Sequence, residues 1–542
     1  MKLERIEISG FRGIKRLSLS FDELTTLIGE NTWGKSSLLD ALSVALPANG
    51  LLHQFEMADF HVDYSASHPQ TQHLQIVLGL VASDKKERSA GRYRRIKPIW
   101  VEDADGAFRI YYRISATLDE YTATTHYSFL NPQGSPLHIH HPEKLAHELM
   151  TLHPVIRLRD SRLFEHNENT NGTNTRVEKR INNTCRRLMA IPGHVNKGEM
   201  RSSLSAMNSL IEHYFSFKSQ YRKNPRQQRD GLFHSSNYNE KSVSELVEKT
   251  QNKQTRLLLM GLLNAYLQAK GPNELRRCAR PLLILEDPEG RLHPTHLARA
   301  WSLLRLLPMQ KVLTTNSSEL LAQVPLNSIR RLIRHSEKTV TRSIPAKSLT
   351  GDELRRIGFH IRFHRSGALF ARCWLLVEGE TEVWLFNELA NQCGYNLAAE
   401  GVQIIEFAQS GLKSLVKVAK AFGIDWHVVT DGDAAGKKYA TAVRNQLEHE
   451  TENHRLTELP DKDIEHFLYA HGFEDFFKQM IKIPHDHPIP AKKVVTRVLK
   501  KHAKPDLALA IVTYCEGKGP EIIPVLIRWI LKRVVTMANG NT

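Results

Sequence analysis

The chain has 542 residues, 41% of them hydrophobic and 24% charged, which indicates roughly two to four folded domains and excludes a single small module or a disordered chain. No apolar stretch reaches the roughly 18 residues that span a bilayer, and the first residues lack a signal-peptide core, so we expect a cytoplasmic protein without a membrane partner. Five scattered cysteines without a CxxC pair exclude a zinc ribbon or a disulfide framework, and the net charge of +16 favours a polyanionic partner.

The N-terminal segment predicts a nucleotide-binding loop between a strand and a helix. LERIEIS, LSLSF and LTTLIG have the pattern of short strands, and SSLLDALSVAL has helical spacing. Residues 29–36, GENTWGKS, fit GxxxxGK[ST] at the junction that this motif requires. Lys35 is expected to reach the β- and γ-phosphates of ATP, and Ser36 to hold Mg²⁺. The predicted nucleotide-binding residues of this loop are Gly29, Glu30, Asn31, Gly34, Lys35, Ser36 and Ser37.

The middle of the chain is less regular. HLQIVLGLV, FRIYYRISA and THYSFL predict antiparallel strands, so the sheet around the nucleotide loop is expected to be mixed. Residues 164–184 are rich in Asn and Thr and nearly free of apolar groups, which predicts a mobile loop. The run His138–His141 has no carboxylate or cysteine at ligand spacing and is interpreted as a surface loop rather than a metal site.

A second motif supports the first. The apolar strand LLIL delivers Glu286 and Asp287 at its C-terminal end, where α/β folds bind ligands. With the RLHP that follows, this segment resembles the Walker B and D-loop region of ABC/SMC-like ATPases. That resemblance implies that Glu286 takes the position nearest the metal ion and that Asp287 takes the catalytic position. The side chain of Asp287 is one methylene shorter than the Glu usually found there. Asn316 follows the next strand, where such ATPases carry a histidine that senses the γ-phosphate, and TQNKQTR is the nearest candidate for their signature motif.

The last third of the chain predicts a parallel α/β unit with an acidic site. Glu378 ends a buried strand and Glu382 follows one helical turn later, while Asp431 and Asp433 end a later strand. Hard oxygen ligands in this arrangement are what a two-metal phosphoryl-transfer site needs. Glu465 can complete such a site. Lys504 can neutralise charge on a pentavalent phosphorus. The alternative interpretation is that Glu465 is a solvated helix residue and Lys504 a surface lysine.

In this order the two acidic motifs resemble the Toprim domain of topoisomerases, primases and related nucleases. A chain in which an SMC-like ATPase precedes a Toprim domain resembles the OLD (overcoming lysogenisation defect) family of ATP-dependent nucleases over essentially its full length. The resemblance implies homodimerisation through a helical insertion, here 160–245, and Mg²⁺- or Mn²⁺-dependent cleavage of DNA; no segment identifies a partner helicase. It also implies the metal ligands Glu378, Glu382, Asp431, Asp433 and Glu465 and the basic residue Lys504.

The expected fold class is α/β: an ABC/SMC-like P-loop ATPase domain, a Toprim domain and a basic helical segment. The ATPase domain is expected at 1–345, a linker at 346–370, the Toprim domain at 371–475 and the basic helical segment at 476–542. The favoured function is an ATP-regulated, metal-dependent DNA endonuclease. The alternative is an ATP-switched DNA-binding clamp in which the carboxylates hold a structural ion. A primase or type IA topoisomerase lacks support, because the chain has no zinc ribbon and no room for tyrosine-bearing domains.

Overall fold

The computed structural model describes residues 1–63, 71–119, 122–158, 279–361, 365–484 and 487–540, without 291–293, 295–296, 299–300, 302–303 and 306–308. These residues form two compact units. The first comprises Met1–Val324 with Ser328–Thr341, and the second comprises Pro325–Asn327 with Arg342–Thr542. None of the helices in the described ranges has the length and apolar character that a membrane crossing demands.

The first unit contains one mixed sheet. Within the described residues its strands are β1 (Lys2–Phe11), β2 (Ile14–Ser20), β3 (Leu24–Ile28), β4 (His73–Val81), β5 (Val101–Glu102), β6 (Phe108–Asp119), β7 (Thr122–Leu130), β8 (Val155–Leu158), β9 (Leu282–Glu286), β10 (Lys311–Thr314), β11 (Ile329–Arg334) and β12 (Thr339–Arg342). Their order is β5-β6-β4-β1-β2-β12-β11-β3-β10-β9-β8, with β7 beside β6. Helices α1 (Lys35–Ala45), α2 (Pro142–Leu152) and α3 (Ser318–Leu321) accompany the sheet.

The two halves of this sheet differ in strand direction. Strands β1, β2, β4, β6 and β7 pair antiparallel, with Ile6 opposite Leu19 and Ile8 opposite Leu17 in the buried face. Strands β11, β3, β10, β9 and β8 run parallel to one another. Parallel strands end at the same edge, so β3, β9 and β10 deliver the loop, the Glu-Asp pair and the Asn316 segment side by side. The predicted mixed sheet is confirmed.

The second unit contains a parallel sheet and a set of helices. Its strands are β13 (Cys373–Val377), β14 (Val402–Glu406), β15 (Asp425–Thr430) and β16 (Leu456–Glu458), in the order β14-β13-β15-β16. Its helices in the described ranges are α4 (Gly351–Phe359), α5 (Glu380–Gln392), α6 (Leu412–Phe422), α7 (Ala434–Arg444), α8 (Glu452–Arg455), α9 (Ile464–Leu468), α10 (Glu474–Met480), α11 (Ala491–Lys501), α12 (Lys504–Cys515) and α13 (Val525–Ala538). Every residue of β13 is buried, as expected for a central parallel strand covered on both faces.

The C-terminal helices belong to the same hydrophobic core as this sheet. Val498 of α11, Leu507 of α12 and Ile527 of α13 are buried in one cluster with Leu375 of β13. The structure therefore groups the C-terminal helices with the sheet, whereas the exact boundaries at 345, 370 and 475 stay predictions. The expected insertion at 160–245, the polar loop at 164–184 and the signature candidate at 250–256 lie outside the described residues.

Candidate nucleotide and metal sites

The phosphate-binding loop joins β3 to α1. Gly29 has a φ of 147° and Gly34 a φ of 89°, conformations that side chains disfavour. A Cβ on Gly29 would also lie 2.9 Å from the Leu332 carbonyl oxygen. Both glycines are therefore needed for a loop whose N–H groups can face a phosphate at the N-terminus of α1.

Lys35 is buried in this loop, with a relative exposure of 4%. Its Nζ donates hydrogen bonds to the Gly29 carbonyl oxygen at 2.6 Å and to Asn316 Oδ1 at 2.8 Å. Burial lowers the pKa of Lys35, against the raising effect of Asp287 and Glu289. The structure thus brings the predicted lysine and the residue at the sensor position into direct contact.

The remaining predicted loop residues surround this contact. Asn31 Oδ1 accepts a hydrogen bond from Asn316 Nδ2 at 3.5 Å, and Ser37 Oγ accepts one from the Gly13 amide at 3.3 Å. Ser36 is exposed at the start of α1, as a metal-binding hydroxyl requires. Glu30 precedes the short 3₁₀ turn Asn31–Trp33 and is partly buried.

Glu286 ends β9 and is engaged by an arginine that sequence reasoning missed. Arg157 of β8 donates from Nε to Oε2 at 2.8 Å and from Nη2 to Oε1 at 2.9 Å, and it also pairs with Asp40 of α1. Burial raises the pKa of Glu286, against the lowering effect of Arg157. Metal binding by Glu286 therefore competes with a bidentate ion pair. The available signal was a charged residue inside the otherwise apolar strand segment VIRL.

Glu289 is a second residue that the predicted site did not include. Its Oε1 accepts a hydrogen bond from the Asn316 amide at 2.6 Å, and burial raises the pKa of its carboxyl. Asp287 instead has its Oδ1 bonded to the Thr314 hydroxyl at 2.9 Å. Glu289 is in the same LEDPE segment as Glu286 and Asp287, so its carboxylate was visible in the sequence although its direction was not.

In the second unit, the predicted carboxylates follow the ends of two adjacent parallel strands. Glu378 comes directly after β13, and Asp431 directly after β15. Glu382 is buried in the first turn of α5, where its Oε2 accepts the Gly379 amide at 3.1 Å. Asp433 caps α7, and its Oδ1 accepts the amides of Ala435 and Gly436, each at 2.8 Å. The sheet thus brings the two acidic motifs to one edge.

Glycine is required at position 432, between Asp431 and Asp433, and at position 436 in the first turn of α7. A Cβ on Gly432 would lie 2.3 Å from the Asp461 carbonyl oxygen, and one on Gly436 would lie 1.9 Å from the Asp431 carbonyl oxygen. Side chains at these positions would displace the backbone that carries Asp431. The loop before α9 therefore packs directly against the aspartate turn.

Glu465 and Lys504 also reach this region. Glu465 of α9 is 2% exposed, and Lys504 is the first residue of α12. Lys504 Nζ lies 3.0 Å from Glu465 Oε1. Although burial acts in the opposite direction, the Glu465 carboxylate raises the pKa of Lys504. Glu465 is therefore a buried member of the acidic cluster, whereas Lys504 is exposed and contacts the cluster through its ammonium group.

Burial, and after it mutual repulsion, destabilises the charged carboxylates of this cluster. Burial, followed by the nearby Glu382, Glu378, Asp463 and Glu465, raises the pKa of Asp431 to about 8. Burial likewise raises the pKa values of Glu378 and Glu382, and Lys504 acts in the opposite direction on both. So many carboxylates near one point are favourable only when cations or protons neutralise them.

The donor set fits divalent metal ions. Glu378 Oε2 and Glu465 Oε2 are buried and have no hydrogen-bond partner among the described residues. Buried carboxylate oxygens without donors are costly unless a cation satisfies them, and Mg²⁺ and Mn²⁺ prefer such hard oxygen ligands. Within the described part of the chain, no three acidic, His or Cys side chains are grouped closely enough to hold an ion as they stand.

Asp463 was not among the predicted residues, yet it borders the cluster. It caps α9, and its Oδ1 accepts the His466 amide at 2.9 Å and also contacts His466 Nδ1. Although burial acts to raise it, these hydrogen bonds hold the pKa of Asp463 below its ordinary value. Its position two residues before Glu465 was the available signal.

Comparison with known proteins relates both parts of the chain to described families. Residues 1–368 match the family described as "Protein of unknown function (DUF2813)", and residues 369–433 match "Overcoming lysogenization defect protein-like, TOPRIM domain". The chain is 42% identical to "Uncharacterized protein YbjD" of Escherichia coli (strain K12) over the full length of both. It is 21% identical to "Old nuclease" of Escherichia phage P2, covering 84% of this chain and 81% of that protein.

Two solved structures show weaker similarity. The SMC head domain from Thermotoga maritima matches 64% of this chain and 100% of its own, at 12% identity and a TM-score of 0.29. The C-terminal region of the Xanthomonas campestris pv. campestris OLD protein matches 31% of this chain and 95% of its own, at 16% identity and a TM-score of 0.27. The strand order, the loop between β3 and α1 and the Toprim match confirm the predicted α/β fold class with its terminal helices. The chain belongs to the DUF2813 family, within the OLD (overcoming lysogenization defect) group of proteins.

Proposed function

We propose that this chain is an ATP-hydrolysing, divalent-metal-dependent DNA endonuclease. One observation carries the proposal: the Toprim carboxylates meet at one sheet edge, with buried oxygens that lack hydrogen-bond donors and with Lys504 beside them. The relative named "Old nuclease" supports the same class of activity.

The proposed cleavage site uses this chain's carboxylates as metal ligands. The proposed ligands are Glu378, Glu382, Asp431, Asp433 and Glu465. Divalent ions bound there would stabilise charge on the phosphoryl oxygens and lower the pKa of an attacking water. Lys504 would donate to the negative charge that develops on phosphorus, because its Nζ is already held at the cluster by Glu465.

In the first unit, the proposed nucleotide site binds ATP through the phosphate loop. Lys35 would move from Asn316 to the phosphates, and Ser36 with Glu286 would hold Mg²⁺. The ion pair between Arg157 and Glu286 opposes Mg²⁺ binding by Glu286. Asn316 cannot act as a cationic sensor. Both features favour slow hydrolysis. We further propose a homodimer, on the basis of the OLD resemblance.

The proposed DNA contact is electrostatic. Helix α11 buries Val494, Val495 and Val498 and leaves its other face exposed. That face carries the cations Lys492, Lys493, Arg497, Lys500 and Lys501. Cations on a helix that carries no carboxylate can bind the phosphate backbone of DNA. Such contacts do not depend on the base sequence.

Incubation with supercoiled plasmid and Mg²⁺ or Mn²⁺ tests the proposal. We expect nicked or linear product from the unmodified chain and none from Asp431→Ala. Asp506→Ala, an exposed carboxylate two residues after Lys504, is the matched control and should nick normally.

The clamp alternative has one observation in its favour: among the described residues, no three potential ligands are grouped closely enough to hold an ion as they stand. Tight, ATP-dependent DNA binding without any nicking in either metal would replace the nuclease proposal with the clamp.

A further inference from the structure

The second unit has an apolar groove at the start of helix α13. Its volume is about 670 Å³, and its lining comes from α13, from the turn before it and from the turn Tyr469–Phe473 after α9. Trp529 and Val525 line this groove and are 63% and 53% exposed. They lie one helical turn apart and therefore on the same face of α13. An exposed tryptophan in an apolar groove marks a candidate binding surface.

The groove adjoins the metal cluster through α9 and the loop that precedes this helix. Pro460 of the loop lines the groove, and the carbonyl oxygen of the next residue, Asp461, accepts the Gly432 amide at 3.0 Å in the turn that carries the two aspartates. Phe467 lines the groove from α9, two positions after Glu465. Because side chains two positions apart point to opposite sides of a helix, the groove and the cluster are separated by about 10 Å, the width of one helix. A polymer bound at the cluster can therefore extend into the groove.

The groove combines aromatic and apolar surface with cations. Arg528 lines it, and the Arg528 Nε is buried without a hydrogen-bond partner among the described residues. Helix α13 carries three cations and no carboxylate, and Lys462 is exposed on the loop between the groove and the cluster. Two carboxylates lie nearby: Glu521 lines the groove, and Asp461 Oδ2 is 3.7 Å from His471 Nδ1. Aromatic side chains beside lysine and arginine are typical of surfaces that bind single-stranded nucleic acid.

The exposed ring of Trp529 favours an unpaired base over a paired one. Inside a duplex each base is stacked between its neighbours, whereas single-stranded or extruded bases present their faces to aromatic side chains. A protein side chain would also fit an apolar groove. The cations of α13 and the position beside the metal cluster favour a polyanion instead.

We propose that Trp529 stacks on an unpaired base of the DNA strand whose phosphate lies at the metal cluster, with Lys462 contacting a phosphate between the cluster and that base. The substrate is then DNA that is single-stranded or locally unpaired near the cut. This inference rests on the proposed endonuclease function and adds its substrate class.

Fluorescence anisotropy with the full chain in Ca²⁺, which should permit binding without cleavage, tests the stacking site. The probes are a labelled single strand, the same sequence as a duplex, and an abasic strand with the same number of phosphates. Trp529→Leu should lower the affinity for the single strand about 5- to 150-fold, the usual effect of losing one base–aromatic stack, and should leave the other two affinities within about twofold. Trp529→Phe should restore most of the single-strand affinity. Trp384→Leu, which removes another exposed tryptophan of the same unit, is the matched control and should bind all probes normally.

The outcomes separate this inference from the proposed function. Unchanged single-strand affinity in Trp529→Leu, while the unmodified chain nicks plasmid, would overturn the stacking site and leave the endonuclease proposal intact. Equal losses for all probes, or an equal loss in Trp384→Leu, would also overturn the stacking site. Single-strand binding that depends on Trp529, without cleavage in Mg²⁺ or Mn²⁺, would support the stacking site and overturn the endonuclease proposal.

A protein occupant gives a different result. If Trp529→Leu changes the oligomeric state measured by sedimentation while DNA affinity stays the same, the groove is an interface between copies of the chain and the stacking assignment fails. Circular dichroism checks that each variant is folded. If Trp529→Leu unfolds, Trp529→Gln replaces it and is judged by the same affinities.

Discussion

Replacing Asp431 with asparagine should stabilise the metal-free protein at alkaline pH. The pKa of Asp431 rises from 3.8 to about 8 because the side chain is partly buried among other carboxylates. One pKa unit corresponds to about 1.36 kcal/mol, so the upper limit for the cost of ionising this group is about 5–6 kcal/mol. Solvent screening at a partly exposed site reduces this to about 2 kcal/mol.

The sign follows from proton binding. A folded-state pKa above the unfolded value means that the contribution of Asp431 to stability is fully present below about pH 4 and is lost as the pH rises toward 8. Asparagine does not ionise and has no such loss. At pH 8 in EDTA, Asp431→Asn should therefore melt about 4–8 °C above the unmodified chain, whereas the two should differ less at pH 5.

Thermal unfolding by circular dichroism, in EDTA and in saturating Mg²⁺ at both pH values, measures this effect. Mg²⁺ should raise the melting temperature of the unmodified chain more than that of Asp431→Asn, because the variant has lost a ligand. Asp506→Asn, which changes an exposed carboxylate, should behave like the unmodified chain. A less stable Asp431→Asn in EDTA at pH 8, or equal stabilisation of both proteins by Mg²⁺, would refute the account of a repulsive metal site.

Three further predictions concern activity and binding. ATP hydrolysis should be slow, at or below about 1 s⁻¹, and Lys35→Ala should abolish it. A turnover of hundreds per second would contradict the expectation that Asn316, in place of a sensor histidine, and the Arg157–Glu286 ion pair slow hydrolysis. Lys504→Ala should lower plasmid nicking about 10²–10³-fold through the loss of charge stabilisation, and nicking at the unmodified rate would exclude that role. DNA affinity should fall steeply between about 50 and 200 mM salt, and alanine at Lys492 and Lys493 should lower the slope of log K against log salt by about 2; a flat salt dependence would contradict the phosphate contact.

Local sequence pattern was sufficient to predict the strand ends and the loop on which most of the candidate residues lie. The loop at Gly29–Ser36 was predictable because its glycines, lysine and serine have fixed spacing between a strand pattern and a helix pattern. Glu378 and Asp431 were predictable for the same reason, since each follows a buried apolar run and parallel strands end at one edge.

Contacts between distant segments were not predictable in this way. The Arg157–Glu286 pair joins residues 129 positions apart, and no local pattern specifies that β8 lies beside β9. The positive φ at Asp287 and the hydrogen bond from the Asn316 amide to Glu289 are likewise not specified by the local sequence. Lys504 and Glu465 were each predicted, but their pairing depends on where the helices α9 and α12 pack.

The central claim is that one chain carries two chemically separate sites, and paired measurement of nicking and ATP hydrolysis on the same protein preparations tests it most directly. Asp431→Ala should lose plasmid nicking in Mg²⁺ while hydrolysing ATP at a rate near that of the unmodified chain, because its carboxylate belongs to the second compact unit and the phosphate loop to the first. Nicking by Asp431→Ala at the unmodified rate, or a parallel loss of ATP hydrolysis in that variant, would contradict the claim.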